Sequence, residues 1–151
     1  VSQAVSCPLC ADDGGWVLWR QAELRIVRVT GAEATGFPGF YRVIWNAHVA
    51  EWTDLSEAEQ GLLMRAVAGV ERAVRKHLQP TKVNLASLGN MVPHLHWHVI
   101  ARYDWDSHFP APLWAAARRA SHPERLDAIV SRLPACDAAI AGGVFRSRTA
   151  A

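Results

Sequence analysis

The sequence predicts an α+β domain in which a mostly antiparallel sheet packs against one long helix. Three observations carry that expectation. Short β-rich runs separated by turn residues fill the first third of the chain. One apolar stripe at helical spacing occupies the middle. A further pair of β-rich runs and a short helical segment follow. Strands grouped in this way, without regular alternation with helices, favour α+β over a parallel α/β sheet.

The elements read in order. After the Gly14-Gly15 turn, Trp16-Val17-Leu18-Trp19 reads as a strand, and Leu24 to Val29 as a second. Gly36-Phe37-Pro38-Gly39 is a loop by its glycine and proline content. Phe40 to Trp45 is rich in β-formers and reads as a central strand. Ser56-Glu57-Ala58-Glu59 has the form of a capping box, in which a serine and a glutamate three residues on satisfy each other's backbone donors. Behind it Leu63, Val67, Val70, Val74 and Leu78 recur at helical spacing. Pro80 ends that helix. Lys82 to Leu85 reads as a strand, Gly89-Asn90 interrupts it, and Val92 to Ala101 reads as the next, giving about five strands. Ser121-His122-Pro123-Glu124 reads as a second capping box, followed by Leu126, Ile129, Val130 and Leu133, with Pro134 as the stop.

Composition narrows the function classes. A chain of 151 residues is one domain by size, residues 1–151. Half of it is apolar and a fifth charged, which excludes disorder as the main state. The formal net charge of +2 comes without a basic stripe, so no nucleic-acid partner is expected. No apolar run reaches the ~18 residues of a membrane span. Val1 to Cys10 lacks the basic and apolar regions of a signal peptide, so the expected location is cytoplasmic. Three cysteines, an odd number, argue against a disulfide framework. Cys7-Pro8-Leu9-Cys10 is open to three readings: half of a zinc site, a redox pair, or neither. The turn-forming Asp12-Asp13-Gly14-Gly15 behind it shifts weight from redox toward metal. Cys136, in an Ala-rich stretch, reads as a small apolar filler.

Seven His and seven Trp are many for this length. Three of the histidines fall in Pro93-His94-Leu95-His96-Trp97-His98-Val99-Ile100. Strand side chains alternate between faces, so His94, His96 and His98 share one face, and Leu95, Trp97 and Val99 face the core. Polar rings in a row are costly to bury without partners. Three uses fit: metal ligation, an imidazole acting as nucleophile or general base near neutral pH, or a solvated face. Trp16, Trp19 and Trp45 read as packed strand residues. Trp105 and Trp114, just after the triad strand, are either packing or a surface for a base. His77 and His122 lie at helix ends and carry no catalytic signal.

The segment His94-Leu95-His96-Trp97-His98-Val99-Ile100 resembles the signature of the histidine triad (HIT) family, His-φ-His-φ-His-φ-φ with φ apolar. The resemblance spans roughly residues 5–115, leaving 116–151 as a C-terminal helical extension. Asn46-Ala47-His48 stands where the family carries Pro-Lys-x-His, and Gly89-Asn90-x-Val92 where it carries Gly-Gln-Ser/Thr-Val. The resemblance implies the HIT-like fold, usually as a homodimer. It implies attack by the middle histidine, His96, on a phosphorus bound to a nucleoside, through a nucleotidyl-histidine intermediate. His98 would stabilise the charge that gathers on the phosphoryl oxygens. Substrates of that chemistry are dinucleoside polyphosphates or nucleoside phosphoramidates, purine nucleotides foremost. Asn84, Ser87 and Asn90 are the implied substrate contacts. Many bacterial relatives hold a structural zinc, and the implied ligands here are Cys7, Cys10, His48 and His94. Two departures bear on activity. The family's Gly-His becomes Gly39-Phe40, which removes a histidine that assists the nucleophile, and a Ser/Thr before the triad becomes Met91. They leave a nucleotide-binding sensor as an alternative, alongside a metalloenzyme ligated by His94, His96 and His98.

Overall fold

Among the described residues, five short strands rich in β-formers join into one antiparallel sheet. In the computed structural model, which describes residues 6–143, the strands are β1 (Trp16–Arg20), β2 (Leu24–Arg28), β3 (Phe40–Trp45), β4 (Lys82–Ala86) and β5 (His96–Arg102). Their order is β1-β2-β3-β5-β4, all neighbours antiparallel, with β3 in the middle as its β-forming residues predict. A one-turn helix α1 (Pro8–Ala11) precedes the sheet. The long helix α2 (Glu57–Leu78) lies between β3 and β4, and α3 (Pro123–Val130) and α4 (Leu133–Ala141) end the described chain.

Helix α2 starts where the capping box predicts. The Ser56 Oγ accepts from the Glu59 amide, and the Glu59 carboxylate accepts from the Ser56 amide. Gln79, in the left-handed region at φ 49°, closes it before Pro80. The stripe Leu63, Val67, Val70, Val74 and Leu78 is buried against one face of the sheet. That face supplies Leu24 and Ile26 from β2, Tyr41, Val43 and Trp45 from β3, and Val99 and Ala101 from β5. Each fully buried aliphatic side chain contributes about 1.5–3 kcal/mol, so this face carries most of the stability. Gly39 is required at the edge of the core: a Cβ there would meet Ala101 Cβ and Leu78 Cδ1, both at 2.8 Å.

Four expectations need correction. The last strand begins at His96, not Val92. Pro93 has no amide to give a ladder, and the residues around it bond irregularly, His94 to the Val92 carbonyl and Leu95 to the Val49 carbonyl. The second capping box does not form. His122, not Ser121, caps α3 without a side-chain bond, because Pro123 sets the first helical φ. Pro134 does not stop the C-terminal helix. It sits in the first turn of a second one, α4, where a missing amide costs nothing. Trp16 is 63% exposed, with Arg28 above its ring, and is not packed. Trp19 and Trp45 are packed as expected.

Helix α4 joins the core: Leu133, Cys136 and Ile140 are buried in the same cluster as α2. Cys136 is wholly buried, and burial pushes its thiol up to about 11. Residues 144–151 of the expected extension, and the chain before Ser6, lie outside the described residues. Among the described residues no helix is long and apolar enough to cross a membrane.

Candidate active site and metal centre

The side of the sheet away from α2 has a different character. Its central positions are His96 and His98 on β5 with Arg42 and Ile44 on β3. The register sets Arg42 opposite His98 and Ile44 opposite His96, and directly opposed residues share a face. A small apolar cluster lies at each end of this patch. One is Cys7, Leu9, Val27 and Ile44, and the other is Val29, Phe40 and Ile100.

The His96 and His98 rings meet edge to face, centroids 4.8 Å apart. His96 Nδ1 lies 2.6 Å from the His94 carbonyl oxygen. A carbonyl only accepts, so Nδ1 carries the proton and Nε2 keeps its lone pair. Burial first holds His96 below the usual histidine range; Arg42 adds to the effect, while the His94 carbonyl and Glu33 oppose it. His98 is 5% exposed, and its Nδ1 has no partner among the described residues. Burial, then His96 and Arg42, bring it down to about 3. Both rings are therefore neutral near pH 7. Imidazole in that state, with one nitrogen unprotonated, is a nucleophile.

Arg42 was passed over in the sequence, although it is the only charge in the run Phe40 to Trp45. Its guanidinium pairs with Glu33 from the short 3-10 turn Gly31–Ala34 between β2 and β3. His96, Arg42, Glu33 and Val92 line two adjoining cavities. One, of about 310 Å³, also holds His98, Asn90 and Trp114. The other, of about 520 Å³, is lined further by Pro8, Leu9 and Gly14. A Cβ on Gly14 would come within 2.8 Å of Leu9 Cδ2, and its φ is +82°, so that wall needs glycine.

Of the expected substrate contacts, Asn90 lines the smaller cavity with His96 and His98. The other two are engaged elsewhere. The Ser87 hydroxyl donates to the His96 carbonyl at 2.9 Å, which steadies the start of β5. Asn84 Oδ1 accepts from Arg102 at 2.9 Å. Arg102 in turn grips Asp106 through two bonds of 2.8 and 3.0 Å, fully buried, and fixes the loop after β5. That loop brings Trp114 edge-on to His98, centroids 5.0 Å apart, with 47% of the Trp exposed. Trp105 instead stacks on Tyr103 and packs on the core.

His94 has a different fate from its two companions. Its Nε2 lies 2.6 Å from the Trp45 carbonyl, so Nε2 carries the proton and Nδ1 is free to ligate. That nitrogen is 3.5 Å from both Cys7 Sγ and Cys10 Sγ, and His48 Nδ1 is 3.3 Å from Cys10 Sγ. The four ligand atoms of Cys7, Cys10, His48 and His94 lie within 4.8 Å of one another, a group able to hold a metal ion. Helix α1 explains the pairing of the cysteines, since its single turn bonds Cys10 and Ala11 back to the Cys7 carbonyl. A ligating histidine whose other nitrogen donates to a backbone carbonyl is the usual supporting arrangement of a metal site. Arg25 braces the knuckle, donating to the carbonyls of Leu9 and Asp13 and to Asn46 Oδ1. Sequence reading missed Arg25 as well.

A sheet with α2 on one side and two buried imidazoles beside a paired cysteine-histidine cluster on the other defines a histidine triad domain. The HIT domain model matches residues 25–105, more than half of the chain, and the protein belongs to the HIT family, whose nucleotide chemistry runs through a histidine. A histidine triad protein from Bradyrhizobium japonicum is 26% identical, with 82% of this chain and 92% of that one covered at a TM-score of 0.63. Two more distant structures share the fold. One, from Marinobacter aquaeolei VT8, is 22% identical over 85% of this chain and 93% of that one, TM-score 0.64. The other, a Zn-bound histidine triad family protein from Mycobacterium smegmatis, is 19% identical over 92% and 96%, TM-score 0.60. Comparison with curated protein sequences returns no match.

Proposed function

We propose that this protein cleaves a purine nucleoside phosphoramidate or dinucleoside polyphosphate through a nucleotidyl intermediate on His96. The observation that carries the reading is the bond from His96 Nδ1 to the His94 carbonyl, which leaves Nε2 unprotonated on a ring that lines both cavities. The Nε2 lone pair forms a bond to phosphorus as the bond from phosphorus to the leaving atom breaks. The leaving atom takes the electron pair and picks up a proton from solvent. Water then attacks phosphorus, the P–N bond breaks and its pair returns to Nε2, and the proton of the water goes to solvent. His98 stabilises charge on the phosphoryl oxygens, Asn90 contacts substrate, and Trp114 offers a half-exposed ring to a base. Asn84 and Ser87 act one step away, through Arg102 and the His96 backbone. The reading extends to a cytoplasmic homodimer that takes small nucleotides and not nucleic acid.

The test is AMP release from adenosine phosphoramidate and from diadenosine polyphosphates, with mass spectrometry of acid-stable and acid-labile adducts. A labile 329-Da-class nucleotidyl adduct, about the mass of AMP less water, is expected on His96 and is absent from His96→Asn. No AMP from either substrate class overturns the reading. A second reading, a nucleotide-binding sensor, is favoured by one observation. Phe40, wholly buried with its ring 5.5 Å from that of His98, supplies no donor where a helping histidine would act. It expects AMP binding by calorimetry without turnover. The His94–His96–His98 metalloenzyme is disfavoured. The metal-capable group among the described residues contains neither His96 nor His98, and Asp106 is committed to Arg102.

The ion of the cysteine-histidine group is zinc in this reading. Tetrahedral zinc, bound at about 2.3 Å by sulfur and about 2.0 Å by nitrogen, sets those atoms about 3.5 Å apart. Three of the four sulfur–nitrogen separations are 3.5, 3.3 and 3.5 Å, and all four ligand atoms lie within 4.8 Å of one another. Its role is structural: it would tie α1 to His48 after β3 and to His94 before β5, and so hold the carbonyl that orients His96. Elemental analysis should find one zinc per chain in the wild type and none in Cys10→Ser. A zinc-free wild type that keeps its thermal stability through strong chelation would refute the role.

A further inference from the structure

We propose that Arg42 is a phosphate-contacting residue of this site, its guanidinium meeting the nonbridging oxygens of the phosphoryl group that His96 attacks, with Glu33 as the counter-ion that substrate displaces. The inference rests on the reaction proposed above. It is carried by position. Arg42 lies opposite His98 in the β3–β5 register and diagonal to His96, on the same face. With Glu33 and Val92 it shares His96's place at the junction of the two cavities. A phosphorus within reach of His96 therefore has its substituents in both cavities and its oxygens beside Arg42.

The bonding of Arg42 is incomplete in a way a purely structural ion pair would not be. The residue is 9% exposed, yet its Nε has no partner among the described residues. One terminal nitrogen reaches the Gly14 carbonyl only at 3.4 Å, and the other meets Glu33. The Glu33 side chain is half exposed. Burying a cation against a partner that stays in water is a poor structural bargain, since desolvation falls on one side and screening weakens the other. A phosphate would satisfy it better, because the planar guanidinium fork matches two phosphoryl oxygens. Nearby, His98 Nδ1 is a second buried nitrogen without a partner among the described residues. Phe40 occupies the neighbouring position on β3 with no donor to offer, and the Arg42 guanidinium lies over its ring at 5.4 Å. The cation two residues along that strand supplies the charge stabilisation that Phe40 cannot.

The experiment compares AMP with adenosine by calorimetry in wild type, Arg42→Gln, Arg42→Lys and Glu33→Gln, together with kcat/KM for adenosine phosphoramidate. Arg42→Gln should weaken AMP at least about tenfold, leave adenosine unchanged, and lower kcat/KM about 100-fold, the usual cost of one lost charge-stabilising donor. Arg42→Lys should recover part of both. Glu33→Gln should tighten AMP, because the competing carboxylate is gone. The proposal is overturned if Arg42→Gln binds AMP like the wild type, or if Glu33→Gln leaves AMP affinity unchanged or weakened. If Arg42→Gln does not fold, Glu33→Gln decides alone, since it alters a half-exposed side chain. A wild type that releases no AMP refutes the reaction, while the AMP-against-adenosine comparison still decides Arg42.

Discussion

The two faces of the sheet are built from the same strands and hold together by different physics. On the α2 side, Tyr41, Val43, Val99 and Ala101 meet the helix stripe in a continuous apolar core. On the other side, Phe40, Arg42, His96 and His98 are nearly as buried but are held by specific partners: the His94 carbonyl, Glu33 and a ring edge. Non-directional packing tolerates small changes of shape, whereas a polar group is right only at one distance and angle. The first face is therefore expected to dominate stability and the second the proposed chemistry, and substitutions on each should separate the two readouts.

The largest separation is expected at His96. Asn in its place should lower AMP release by about 10⁴-fold or more, as loss of a nucleophile does, with an unfolding midpoint close to that of the wild type. A fall in both readouts together would show that the faces are not independent. Leu63→Ala probes the opposite side. Leu63 is wholly buried in α2, and the substitution should cost about 2–5 kcal/mol in urea unfolding. Activity per folded molecule should be unchanged.

The pH dependence of stability gives a smaller, sharper contrast. His98 sits at about 3 in the folded protein, below an unfolded value of about 6.5. The unfolded chain thus binds more protons between those limits, so the contribution is present above pH ~6.5 and is lost as pH falls toward ~3. From pH 7 to pH 5 the loss is about 2 kcal/mol from this ring. His98→Gln should flatten the urea midpoint over that interval, and an unchanged slope would place the acid sensitivity elsewhere. For activity, an acid limb below the ordinary histidine range is expected from the direction of the His96 shift. The smallest effect is at Ser56. Ala there removes the capping bond of α2 and should cost about 1 kcal/mol without altering AMP release.

The strands, the long helix and the ligand types were legible because each is written in local sequence. A period of two or of 3.6, a capping box and a seven-residue motif need no knowledge of distant neighbours. The errors came where one local signal has two meanings. Proline marks both the end of a helix and its first turn, and Pro134 took the second role once Leu133, Cys136 and Ile140 could reach the core. The β-rich run placed the start of the last strand at Val92, but Pro93 delays it to His96, and His94 before it turns toward the cysteines. Trp16 has the composition of a packed residue, and only the edge position of β1 exposes it.

By itself the sequence determined the family, the sheet and helix content and the identity of the triad, and through the family resemblance it pointed to Cys7, Cys10, His48 and His94, the group able to hold a metal ion. The elements and the triad follow from residue types at short spacing, and the ligand set follows from the resemblance that the triad carries. The tertiary structure alone decided which nitrogen of each ring carries the proton, because it depends on which carbonyl each ring meets: Trp45 for His94 and His94 itself for His96. It also decided the place of Arg42. That residue is 56 positions from His98 in the chain, and they become neighbours only through the register of β3 on β5.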